Sequence, residues 1–172
     1  AGPDAADAAA AAAGATGWVS TRPIKPGPGL VFEADSPYQY VRVVKRESGW
    51  YWLQLNEGLV VHSKYHPSRV FTNGEWDYVA LAPLFVPDNA PSQEAPLRWA
   101  MIGAGAGTSA RVIEYLWPRS EVVGVEIDPV VVDVGKRYFG SDSSNYRPVV
   151  ADGRAWLETT RETFDVIGVD AY

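Results

Sequence analysis

The segment Gly103-Ala104-Gly105-Ala106-Gly107 constrains this chain more than any other. It stands directly between an apolar run, Leu97 to Ile102, and a helical stretch, Thr108 to Trp117, which Pro118 stops. A glycine turn there lets the backbone approach a ligand closely and reach positive φ with no Cβ in the way. The same rhythm continues downstream. Glu121 to Glu126 reads as a strand, and Asp128 caps a helix with Pro129 at its first position and Gly140 at its end. Tyr146 to Ala151, a helix from Gly153 to about Thr160, and Phe164 to Val169 complete the series. Apolar strands interleaved with helices predict a parallel sheet covered on both faces, in the order 3-2-1-4.

An acid falls at the end of each of the three strands after the loop. Glu126 lies 19 residues beyond Gly107, Asp152 is followed by Gly153, and Asp170 ends the last strand. Strand ends of a parallel sheet open on one crevice, so all three carboxylates are expected beside the glycine loop. At Glu126 a carboxylate can accept from both hydroxyls of a ribose, at about 1.5–3 kcal/mol per charged hydrogen bond. Asp152 could accept from an exocyclic amine such as adenine N6, with Gly153 permitting a tight turn. A dinucleotide site requires only the first acid, and the series of three favours an adenosine-type ligand. The plainer alternative is a set of solvated strand ends.

Upstream the pattern differs. Residues 1–29, Ala-rich and then broken by Pro23, Pro26, Gly27, Pro28 and Gly29, read as a disordered tail. Residues 30–86 read as a small β domain with a helix, 87–96 as a linker, and 97–172 as the nucleoside-binding domain. Tyr38 to Val44, Trp50 to Leu55 and Leu59 to Val61, separated by glycine-containing turns, predict a three-stranded antiparallel meander with Gln39, Val41 and Val43 on one face. Thr72-Asn73-Gly74-Glu75 fits a capping box for a helix to about Phe85, bent or ended by Pro83.

Composition removes several functions. The chain is 47% hydrophobic and 21% charged, as in a soluble globular protein, and its net charge of -6 argues against a nucleic-acid partner. With no cysteine there is no disulfide, thiolate nucleophile or Cys-based zinc site. His62 and His66, in an expected loop, read as surface residues rather than metal ligands. No apolar run reaches the ~18–20 residues that span a bilayer. Asp4 and Asp7 stand where a secretory leader would be basic, so a cytoplasmic location is expected.

Over roughly residues 30–172 the sequence resembles the spermidine synthases (polyamine aminopropyltransferases), within the class I S-adenosylmethionine-dependent methyltransferase-like superfamily. Ser36 to Val43 is similar to the family's Tyr-Gln strand, and Leu55 to Gly58 to its Leu-Asp-Gly turn with one residue inserted. Tyr78 falls at the tyrosine of its Tyr-His-Glu helix. Ile102 to Gly107 takes the place of its Gly-Gly-Gly-Asp-Gly-Gly loop, and Val125 to Asp128 that of Val-Glu-x-Asp. Phe164 to Asp170 resembles the strand whose final Asp is catalytic.

The resemblance implies a Rossmann-like domain preceded by a small antiparallel β domain. It implies transfer of an aminopropyl group from decarboxylated S-adenosylmethionine to a di- or polyamine, without metal or prosthetic group, in a homodimer or higher homo-oligomer. Glu126 would bind the ribose, Asp152 and Gly153 the adenine amine, and Gly103, Gly105 and Gly107 would form the nucleoside loop. Gln39 and Tyr78 would line the site beside the aminopropyl group, and Asp170 would orient the attacking amine or take its proton.

The sequence also departs from the family. Ala106 is read at the place of the loop Asp, Val79 and Ala80 replace the His and Glu of Tyr-His-Glu, and Leu59-Val60-Val61 supplies no Gln after the turn. Two other readings therefore stay open. One is an S-adenosylmethionine-dependent small-molecule methyltransferase, favoured because loss of a loop acid removes repulsion with the methionine carboxylate. The other is a catalytically silent or truncated nucleoside-binding homologue. Finally, residues 164–169 would form an apolar edge strand with one charge and no proline. The expectation is that the sequence is a fragment, or that further residues or another chain cover this edge.

Overall fold

The computed structural model describes residues 24–56, 60–85 and 91–171. Most of the expected tail (1–23), the turn at 57–59 and part of the linker (86–90) lie outside them.

The first half is an antiparallel sheet of four strands rather than three: β1 (Leu30–Asp35), β2 (Tyr40–Lys45), β3 (Tyr51–Leu55) and β4 (Val61–Tyr65), in that spatial order. The extra strand, β1, pairs along β2 and buries Phe32. Residues 24–29, expected in the tail, are tied to this sheet. The amides of Ile24 and Lys25 donate to the Glu33 carboxylate, and Lys45 N donates to Gly29 O at 2.7 Å. β4 begins at Val61 and runs on to Tyr65, which moves His62 from the expected loop onto a strand.

The helix after this sheet is shorter than expected. α1 spans only Glu75–Val79 and is followed by a 3-10 turn, Ala82–Phe85, where Pro83 is buried. The expected capping box does not form: Gly74 is the N-cap, without a side-chain bond. Asp77 does the work instead, accepting from Thr72 N, Thr72 Oγ1 and Asn73 N at 2.8–3.0 Å. Replacing Asp77 with alanine removes these bonds and should cost about 2 kcal/mol. Thermal unfolding should then fall by roughly 4–8 °C, and an unchanged midpoint would remove this anchoring role.

The second half carries strands β5 (Arg98–Ile102), β6 (Glu121–Glu126), β7 (Tyr146–Val150) and β8 (Val166–Val169), all parallel. Their spatial order, β7-β6-β5-β8, is the expected 3-2-1-4. The helices are α2 (Thr108–Leu116), α3 (Pro129–Tyr138) and α4 (Gly153–Thr159). As expected, Asp128 caps α3, accepting from Val130 N with Pro129 at N1.

α3 serves both halves. Val130, Val131 and Val134 pack with Val41, Val43 and Leu53 of the first sheet and with Ala106 of the glycine loop in one apolar cluster. Burial of this kind is worth about 1.5–3 kcal/mol per large apolar side chain, so the sheets are held together chiefly by α3. Polar bonds fix their register. Asp128 is fully buried and accepts from Ser36 Oγ at 2.6 Å and Gln39 Nε2 at 3.3 Å. Lys64 N donates to Thr108 Oγ1 at 3.0 Å, and the Arg111 guanidinium donates to the carbonyls of His66 and Arg69.

β8 pairs with β5, and among the described residues no strand pairs with its other edge. Ile167 and Val169 are exposed there, so no described segment of this chain supplies the cover expected for 164–169. No described helix is long and apolar enough to cross a membrane.

Candidate active site

A cleft of about 650 Å³ opens where the carboxyl ends of β5 to β8 face the first sheet. Ile102, Gly103 and Gly105 line it from the loop after β5, Glu126 from β6, Asp152, Gly153 and Arg154 from the start of α4, and Asp170 from beyond β8. Gln39, His62, Glu75 and Trp76 close it from the first half.

The loop is held by the protein itself. Gly103 N and Ala104 N both donate to Val125 O, Gly105 N to the Glu126 carboxylate, Ala106 N to Ser63 Oγ, and Gly107 N to Ala104 O, all at 2.9–3.0 Å. The loop's glycines also have a reason other than ligand approach. Gly103 has φ +78°, and a Cβ there would lie 2.2 Å from the Asp170 carbonyl oxygen. At Gly105, with φ +54°, a Cβ would lie 2.9 Å from Ser63 Oγ. The turn is thus glycine-rich because the end of β8 and the first sheet press on it. Gly107 caps α2 and faces Ser141, away from the cleft lining.

Glu126 is oriented from both sides: Oε2 accepts from Gly105 N at 3.0 Å and Oε1 from Asp128 N at 3.1 Å. Burial pushes its pKa above the ordinary glutamate value, and these two amides offset part of that rise. Asp152 sits at the cleft but spends Oδ1 on capping α4, accepting from Ala155 N at 2.8 Å. Asp170 is fixed through its backbone, with N donating to Ile102 O at 2.8 Å.

Residues 91–172 match the family model described as Spermine/spermidine synthase domain. The α/β half is a spermine/spermidine synthase domain. The similarity extends into the antiparallel sheet. A "Probable polyamine aminopropyl transferase" of Bifidobacterium longum is 34% identical over 143 residues, 83% of this chain and 30% of that protein. Among solved structures, a probable spermidine synthase from Corynebacterium glutamicum aligns with TM-score 0.68 at 20% identity, over 86% of this chain and 53% of that one. A spermidine synthase in complex with the transition-state analogue AdoDATO aligns with TM-score 0.61 at 19% identity, over 83% and 47%. These two share the fold. The chain spans less than a third of the Bifidobacterium relative and about half of each solved chain.

Two sequence assignments need correction, Ala106 in the synthase domain and Tyr78 in the first half. Ala106 does not stand at the place of the family's loop Asp: counted from Ile102 to Gly107, the fourth place is Gly105. Ala106 is 1% exposed with its side chain in the apolar core, so an acid there could not reach the cleft. Asp152, as above, has one oxygen committed to the helix. Tyr78 is 72% exposed and absent from the cleft wall. α1 turns Trp76 inward, and two residues further on is about 200° around a helix, so Tyr78 faces away. Glu75 and Trp76 take its place.

The residue that sequence reasoning missed is His62. It is half-buried and part of the cleft wall. Burial lowers its pKa, while the charge of Asp170 acts the other way. Its one sequence signal is that it directly follows the apolar run Leu59 to Val61. Among the described residues no three acids or histidines cluster as metal ligands.

Proposed function

We propose that the protein moves an aminopropyl group from decarboxylated S-adenosylmethionine to a di- or polyamine. One observation carries this reading: the Glu126 carboxylate, fixed by Gly105 N and Asp128 N, shares a glycine-floored cleft with Asp170. Glu126 has lone pairs left for two ribose hydroxyls, and the second Asp152 oxygen would accept from the adenine amine. Asp170, across the loop, meets the amine that attacks the aminopropyl carbon next to sulfur. The sulfonium is already a good leaving group, so holding the two reactants in line supplies much of the rate. Glu75, Glu126, Asp152 and Asp170 outnumber Arg154 among the charged residues of the wall, which suits a polycation.

Calorimetric titration separates the readings. Decarboxylated S-adenosylmethionine should bind more tightly than the intact form. Preference for the intact form would indicate a methyltransferase, and no binding of either overturns the proposal. The pH dependence has a definite sign. Ribose recognition needs Glu126 ionised, so donor binding should weaken as pH falls through its raised pKa, at higher pH than an ordinary glutamate near 4.5 would require. Stability moves the other way. Between that raised value and 4.5 the folded chain holds this proton more tightly than the unfolded one, so the Glu126 contribution grows as pH falls across that window. A binding midpoint at or below 4.5 would remove Glu126 from the site.

A further inference from the structure

β3 and β4 are out of step at one point. Leu53 pairs with Ser63, but the next residue, Gln54, pairs with Val61, so His62 is the extra residue of a β-bulge. A bulge breaks the alternation of side chains and re-aims one of them. Here it accompanies two side chains that serve the cleft from neighbouring positions: Ser63 Oγ accepts from Ala106 N of the glycine loop, and His62 joins the cleft wall. The charged groups that share this wall are Glu75 from α1, Glu126 from β6, Asp152 and Arg154 at the start of α4, and Asp170. Lys64 on the same strand lies over the Trp76 ring, 5.3 Å from its centroid. The charge of Asp170 acts on His62.

We propose that His62 is a second catalytic residue, a neutral imidazole that takes the proton of the attacking amine while Asp170 holds the amine and then faces the imidazolium. This rests on the aminopropyl-transfer reading above. The step balances. An alkylammonium N–H bond breaks and its proton passes to the imidazole. The freed nitrogen pair forms the new C–N bond as the C–S bond breaks, its electrons leaving on sulfur as a neutral thioether. The product nitrogen is a secondary ammonium, and the imidazolium releases one proton to solvent. An imidazole is the side chain whose ordinary range lies close to neutral pH, which suits it to take up and release a proton there. Burial keeps it below its ordinary value, hence neutral near pH 7 and ready to accept.

The test has two arms on the full chain. The chain has only two histidines, so their imidazole signals can be followed separately by NMR as pH is varied. In Asp170→Asn the His62 midpoint should fall while His66 stays put, and an unmoved His62 overturns the pairing. In the transfer assay His62→Ala should lose about 100-fold in kcat, with KM for the donor unchanged and the acid limb of the pH profile flattened. Added imidazole should restore part of the rate. A His62→Ala variant as fast as the parent overturns the proposal. Should the parent chain bind neither form of the donor, the functional reading has failed instead, and the NMR arm still decides whether His62 and Asp170 form one proton-holding pair.

Discussion

Glu126→Gln should weaken binding of the decarboxylated donor about 100-fold, which is about 2.7 kcal/mol. Both Glu126 oxygens already accept a backbone amide, one from Gly105 and one from Asp128. A glutamine must turn its NH2 toward one of these donors, so one bond becomes a donor–donor contact. It also offers the ribose hydroxyls a weaker, uncharged acceptor, and charged hydrogen bonds are worth about 1.5–3 kcal/mol each. Calorimetry with a donor analogue lacking both ribose hydroxyls isolates the second effect, because parent and variant should then bind within a few-fold of each other. An equal loss for both ligands would mean that the variant distorts the loop and that Glu126 does not read the ribose.

The largest effect on stability is expected at Asp128→Ala, about 3 kcal/mol, or roughly 6–12 °C in the unfolding midpoint. Asp128 is fully inaccessible and joins three elements: it caps α3 through Val130 N and takes donors from Ser36 and Gln39. Its loss leaves the buried Val130 amide and the half-buried Ser36 and Gln39 donors without their acceptor. Asp128→Asn should be milder, because it keeps an oxygen for Val130 N and Ser36 Oγ can donate to Gln39 O instead, at 3.0 Å. Differential scanning calorimetry on the three proteins measures this order. A midpoint for Asp128→Ala within 2 °C of the parent would mean that Asp128 adds nothing to the other contacts that join the two halves.

The α/β half is legible in sequence because each of its devices is local. Asp128 directly before Pro129, glycines directly after an apolar strand, and an acid closing each of the three later strands all act over a few residues, and the parallel order follows from the alternation. What escapes is set by contacts across the two halves. β1 has no alternation of its own, and it becomes a strand by pairing with β2 and burying Phe32. The bulge at His62 exists only once β3 is in register, and in a Val-His-Ser-Lys-Tyr segment nothing local marks it. Tyr78 is misplaced because a helix of only five residues has its phase set by Trp76 entering the core, which no periodicity over so short a span reveals. Glycines at 103 and 105 are correctly seen as necessary, but the neighbours that demand them, Asp170 and Ser63, are distant in sequence.

The amides of residues 103 to 107 all have acceptors within the protein. A loop in this state has no N–H left to cradle an anion, in contrast with glycine loops that grip pyrophosphate through exposed amides at a helix start. Carboxylates of Glu126, Asp152 and Asp170 at the same mouth would repel phosphoryl oxygens further. Nucleoside di- and triphosphates should therefore be turned away by this cleft.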